Sequence, residues 1–175
     1  MNKNVVGLES LLNKLNKLGG NVEETLYNSI SKQTKFIQGE AKELCPVDTG
    51  DLRNSIKANT IKNKNEIVGK VHTNMRHSLY VEFGTGKVGE KTNTNTKVNV
   101  SYKQDKWLAN IPDVGPRWIE GQPAQPYLYP ALKNNEDKIL ENIKDDIKKA
   151  IKEVAKKWLM LRIKYIKLSK IFVLM

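Results

Sequence analysis

Little in this chain is suited to cross-linking, membrane spanning or metal chemistry. A single cysteine, Cys45, excludes an intrachain disulfide framework and fits a reducing compartment. Beside Pro46 it reads as a small, half-buried hydrophobe, because neither histidine can be tied to it. Those histidines, His72 and His77, flank a strand end without a matched cysteine or carboxylate cluster, so the pattern supports no zinc site. Runs of about eighteen uncharged apolar residues are missing, as is the basic-then-apolar layout of a secretion signal. No membrane span is expected, and the expected birthplace is the cytoplasm.

The composition that remains, 39% apolar and 28% charged, is that of a globular protein. With 175 residues we expect one α+β domain, its core at about 8–157, a long loop or insertion at 86–121 and a basic, apolar tail at 158–175. Charge is unevenly placed. The net value is +11, and residues 151–175 hold seven Lys or Arg against one acid, Glu153. Such an end suits nucleic acid, an anionic membrane or an acidic protein surface, and charge alone does not choose.

Leu8, Leu11, Leu12, Leu15 and Leu18 recur at helical spacing, and Gly19-Gly20 supplies a stop. Asn21 and Glu24 form a capping-box pattern ahead of a second apolar stripe, Leu26, Ile30, Ile37, Ala41 and Leu44. Pro46 ends that helix and puts its boundary at Cys45. Ser55 to Lys62 and Glu66 to Thr73 read as a β-hairpin around Asn63-Lys64-Asn65. The cluster Leu79, Tyr80, Val81 and Phe83 fits a helical turn or a short strand. From Thr85 to Gln122 the chain is polar and glycine-rich, and the alternation of Lys97 to Lys103 permits a strand or a projecting hairpin. Pro130 opens a long amphipathic helix expected from Ala131 to about Lys157. Beyond Trp158 helix and strand patterns overlap, and the apolar end at Ile171 to Met175 needs a covering partner. Together these segments predict a small antiparallel β-sheet packed with two N-terminal helices and one long C-terminal helix, with a long extended loop or hairpin insertion.

Three patterns touch on enzyme chemistry, and each lacks a component. Asp48-Thr49-Gly50 is the aspartic-protease tripeptide, but that mechanism needs two carboxylates sharing a proton and one copy is present. The better reading is a cap for a helical turn beginning at Asp51, with Gly50 in a backbone conformation other residues resist. Gly84-Thr85-Gly86-Lys87-Val88-Gly89 matches the dinucleotide fingerprint in spacing, yet no helix is expected after it, so a turn or hinge is preferred. Glu82, among apolar neighbours, suits a general acid, an ion pair with Arg76 or Arg53, or an intersubunit contact. Nothing assembles a nucleophile, base and orienter, and neither an enzyme nor a cofactor is expected.

The helix, then Pro46-Val47-Asp48-Thr49-Gly50-Asp51-Leu52-Arg53-Asn54-Ser55-Ile56, a hairpin, Tyr80-Val81-Glu82-Phe83-Gly84-Thr85, and Pro123-Ala124-Gln125-Pro126-Tyr127-Leu128-Tyr129-Pro130-Ala131 before a long helix stand in a telling order. Over Leu26 to Ile151 this resembles the gene-ten-like minor tail-component family of tailed phages. The resemblance implies a structural virion protein of the neck, assembled in the host cytoplasm as a ring of six or twelve copies. Its implied neighbours are head-connector or head-closure proteins and tail terminator or tail tube proteins, with genome DNA in the channel. A tail terminator, or a basic module binding nucleic acid or a membrane surface, is the alternative. On this reading Asp48, Thr49 and Gly50 fix a turn, and Val47, Leu52, Ile56, Tyr80, Phe83, Tyr127 and Leu132 form the core joint. Trp107, Trp118, Arg162, Lys164, Ile171 and Phe172 are candidate interface residues.

Overall fold

The computed structural model describes residues 22–63 and 66–172, with side chains to residue 160. The expected leucine helix at Leu8 to Leu18, the Asn21 cap, Lys64-Asn65 and the last three residues lie outside the described residues.

The chain is α+β. Helix α1 spans Val22–Leu44 with Glu23 and Glu24 in its first turn and Lys42 in its last, the arrangement its dipole favours. It ends before Cys45, whose N–H still reaches the Ala41 carbonyl at 3.0 Å. Pro46 then prevents continuation. A one-turn helix α2, Asp51–Ser55, leads into the hairpin of β1, Lys57–Lys62, and β2, Ile67–His72. Asn63 closes the turn between them, its N–H donating to the Glu66 carbonyl at 2.8 Å.

The ambiguous cluster after the hairpin is a helix, α3, Ser78–Phe83. The glycine-rich stretch behind it corrects one expectation, because a seven-residue helix, α4, Gly86–Thr92, does follow. The segment 97–103 forms no strand; the hairpin sits further on, as β3, Trp107–Ile111, and β4, Gly115–Ile119. Their antiparallel register pairs Trp107 with Ile119 and Leu108 with Trp118. The Asn-Thr repeat makes two successive side-chain turns, Asn93 Oδ1 accepting from Asn95 N–H and Asn95 Oδ1 from Lys97 N–H. A short strand β5, Gly121–Gln122, bridges back to Thr85 and Gly86.

The C-terminal helical region is two helices. Pro130 is the third residue of α5, Leu128–Lys133, rather than the start of a long helix. After Asn134 and Asn135, both poor helix formers, α6 runs from Glu136 to Phe172. The tail from Trp158 to Phe172 is therefore helical backbone and not strand.

Among the described residues two compact units are present, one of residues 22–32, 62–63, 66–68 and 137–172 and the other of 33–61 and 69–136. In the first, Val22 and Ser29 are buried, Ser29 Oγ donates to Asp146 Oδ2 at 2.7 Å, and Lys62 pairs with Glu23 at 2.9 Å. In the second, the core holds Ile37, Ala41, Cys45, Leu52, Ile56, Tyr127 and Ala131.

Candidate functional site

The second unit is organised around α3. This helix is only six residues long, so nearly all its backbone polar groups need partners from elsewhere in the chain. Three of its carbonyls find them in two other stretches, around Tyr102 and at 122–125. Gln122 Nε2 donates to Tyr80 O at 3.0 Å, Gln125 N–H to Val81 O at 2.8 Å, and the Tyr102 hydroxyl to Phe83 O at 2.9 Å.

Glu82 is the hub. It is buried, and its carboxylate accepts three backbone N–H bonds, from Tyr127 and Leu128 at Oε2, at 2.8 and 2.9 Å, and from Tyr129 at Oε1, at 2.8 Å. These are the first amides of α5, whose fourth residue counted from Tyr127 is Pro130 and has no N–H to satisfy. The positive end of α5 thus meets one buried anion, a charge-assisted arrangement. Neither ion pair considered from sequence, to Arg76 or to Arg53, is present among the described residues; Arg53 Nε instead donates to the Lys42 carbonyl at 2.9 Å. A cue was available in the sequence: Pro126-Tyr127-Leu128-Tyr129-Pro130 opens a helix with no Ser, Thr, Asp or Asn to cap it, so a distant acceptor was required.

The fingerprint glycines serve the same joint. Gly84 has φ +71, and a Cβ there would stand 2.6 Å from both Ala124 N and Gly89 Cα. Gly121, at φ +120, is pressed on the Thr85 carbonyl in the same way. The close backbone approach that a phosphate would need is taken by the chain itself. Thr92 Oγ1 adds a bond from Ala124 N–H at 2.8 Å.

At the Asp48-Thr49-Gly50 corner, Gly50 takes φ +88 and caps α2 by conformation alone. Thr49 Oγ1 donates to Asp51 Oδ2 at 2.8 Å, tying the turn to the first residue of α2. Asp48 is exposed and faces a shallow cleft shared with Val47, His77, Val81 and Gln125. Of the residues expected in the core joint, Leu52, Ile56 and Tyr127 are buried and Phe83 is half-buried. Val47, Tyr80 and Leu132 lie at the surface of this chain, 55%, 56% and 54% exposed: Val47 sits in the loop between α1 and α2, and the short α3 and α5 each have only one face to bury. Trp107 is half-buried under the Lys103 ammonium, 5.4 Å from its ring centre, and Trp118 is 69% exposed. Arg162, Lys164, Ile171 and Phe172 fall on the backbone of α6.

Burial pushes the Cys45 thiol up in pKa, with Arg53 opposing and Glu82 adding to the shift. Burial likewise raises Tyr127, reinforced by Cys45 and Glu82, while nearby Ser78 pulls the other way without reaching bonding geometry. Among the described residues, no cluster of His, Cys, Asp or Glu could hold a metal ion, and no helix is long and apolar enough to cross a membrane.

Residues 9–84 match the model of the HK97-gp10-like family, described as a candidate tail component of bacteriophage. No curated protein and no solved structure matches the chain. The tail-component match takes in α1, the Asp48-Thr49-Gly50 corner, the β1–β2 hairpin and α3, and stops at Gly84. It starts earlier than the resemblance read from the motifs and ends before Pro123 to Ala131, yet Glu82 bonds the matched α3 directly to that later motif.

Proposed function

We propose that this chain is a structural protein of the head-tail junction, a neck or tail-completion protein that assembles as a ring of six or twelve copies. The tail-component match over residues 9–84 carries the reading. The site supports it, because the polar groups of α3 and the α5 N-terminus are engaged in joining chain segments and none is arranged for turnover. Large apolar side chains left at the surface of the same unit, Leu79, Tyr80, Leu108, Val114 and Trp118, are the contacts that repeated copies and neighbouring head-connector or tail tube proteins would cover. Size-exclusion chromatography with light scattering, alone and with the tail tube or head-connector protein, tests the proposal. A closed oligomer that joins one of those proteins is expected. A monomer that binds neither sinks it.

A further inference from the structure

Helix α6 is a charge-segregated rod. From Glu136 to Ile147 it carries five acidic residues against Lys138 and Lys144, whereas from Lys148 to Lys170 it carries nine Lys or Arg against Glu153 alone. A mixed charge pattern would serve solubility just as well. Segregation instead makes the helix electrostatically complementary to a second copy of itself running the other way.

The geometry of the first unit leaves a face for this. The side of α6 that carries Asp146, Lys149, Ala150 and Glu153 lines a shallow pocket with Ser29 and Lys32 of α1, fixed by the bond from Ser29 to Asp146. At about 3.6 residues per turn, Glu141, Lys148, Lys152 and Leu159 fall on another side, and all four are exposed. Exposed apolar side chains occur towards both ends of this stretch, Leu140 at 49% and Leu159 and Met160 at 57% and 62%.

We infer that α6 pairs antiparallel with α6 of a second copy, crossing near Lys148 and Lys149. In that register Glu141 stands opposite Lys156 and Asp145 opposite Lys152, twice over by symmetry, with Leu159 on the same face towards the outer end of each pairing. Lys148, at the crossing, brings its own counter-ion, Asp145, at 3.1 Å. The contact is isologous, so it closes at two copies and does not depend on the proposed ring. Exposed ion pairs are individually weak and screened by salt, so the association is salt-sensitive.

Light scattering on the full chain at low and high salt provides the test. The pairs Glu141→Lys with Asp145→Lys, and Lys152→Glu with Lys156→Glu, should each halve the mass of the unaltered protein at low salt, and an equal mixture of the two variants should restore it. An unchanged mass in either variant, or a mixture that stays at half mass, overturns the pairing. Should a charge-reversed variant lose its helical circular dichroism, Glu141→Cys mixed with Lys156→Cys decides instead. Oxidation should link the two variants to each other faster than either links to itself; equal rates reject the register. Salt-sensitive capture of duplex DNA or of anionic vesicles, with mass insensitive to the reversals, would assign the face to those ligands and overturn the inference.

Discussion

Within the unit of residues 33–61 and 69–136, the α3 joint and the β3–β4 hairpin use their side chains in opposite ways. At the joint, a buried carboxylate, two glutamine side chains or amides, a tyrosine hydroxyl and several glycines are all engaged with backbone from other segments. The hairpin is held by its own ladder, and its outward pair Leu108 and Trp118 is left 58% and 69% exposed. Polar residues that sequence reasoning tests for chemistry are thus consumed by the fold, while apolar residues that a fold would ordinarily bury are left over. The difference separates what specifies this chain from what it offers to others.

Removing the hub should produce the largest effect. Glu82→Ala leaves three amides without their acceptor in a buried setting, where each unsatisfied group costs about 1–3 kcal/mol and loss of a charged partner more. We expect a loss of roughly 3–5 kcal/mol in urea unfolding, enough to unfold much of a marginally stable protein. Glu82→Gln keeps one acceptor oxygen and should lose less. A Glu82→Ala protein within about 1 kcal/mol of the parent would show that the joint is not what holds the unit.

Glycine positions sharpen the contrast further. At Gly84 the positive φ and the 2.6 Å approach to Ala124 N leave no room for a methyl group. Gly84→Ala should therefore cost at least about 1–3 kcal/mol from backbone strain, with the clash in addition. Gly39, in the middle of α1, has nothing within 4 Å of the same methyl. Gly39→Ala should stabilise by roughly 0.5–1 kcal/mol through helix propensity. Thermal unfolding of the two variants side by side checks both signs; a Gly84→Ala protein as stable as Gly39→Ala would contradict the packing described for the joint.

Local rules made much of this legible. Pro46 set the end of α1, the Asn63 turn set the first hairpin, and the three-four spacing from Leu140 to Val154 set the body of α6. Failures came where a partner lay far away in sequence. Glu82 looked like an acid in search of a lysine or arginine because its actual partners, three amides some 45 residues downstream, carry no sequence signature of their own. Gly84 to Gly89 reads as a turn or hinge with no helix after it, yet α4 follows, and the spacing matches a nucleotide loop because close approach by a phosphate and by the chain's own backbone demand the same absence of Cβ. Alternation permits a strand at Lys97 to Lys103, but the strands that pair are Trp107–Ile111 and Gly115–Ile119, where alternation is less clean.

A smaller effect is expected at Tyr127, whose hydroxyl is buried without a hydrogen-bond partner. Tyr127→Phe removes that group and keeps the ring, so stability at neutral pH should stay within about 1 kcal/mol or rise. The pH dependence is the sharper reading. Burial raises the folded-state pKa above the unfolded value of about 10. Stability tied to the neutral hydroxyl is fully present below that unfolded value and is lost as pH rises through the folded one. Urea titrations above pH about 10 should show Tyr127→Phe losing less stability than the parent. Parallel alkaline losses in both proteins would remove Tyr127 as the cause.

Least of all should stability respond at the hairpin. A cross-strand pair such as Leu108 and Trp118 contributes roughly 0.2–1 kcal/mol, and both side chains are already largely in water. Leu108→Ala with Trp118→Ala should unfold within about 1 kcal/mol of the parent. If the hairpin is what neighbouring copies or neighbouring virion proteins cover, the same variant should fail in assembly, giving a smaller particle by light scattering while its urea midpoint barely moves. Glu82→Ala should show the reverse order, losing the fold first and assembly only as a consequence. A hairpin variant that assembles like the parent would move the intersubunit contact elsewhere, to Leu79 and Tyr80 on the exposed side of α3, and the division between joint and hairpin would have to be redrawn along that helix.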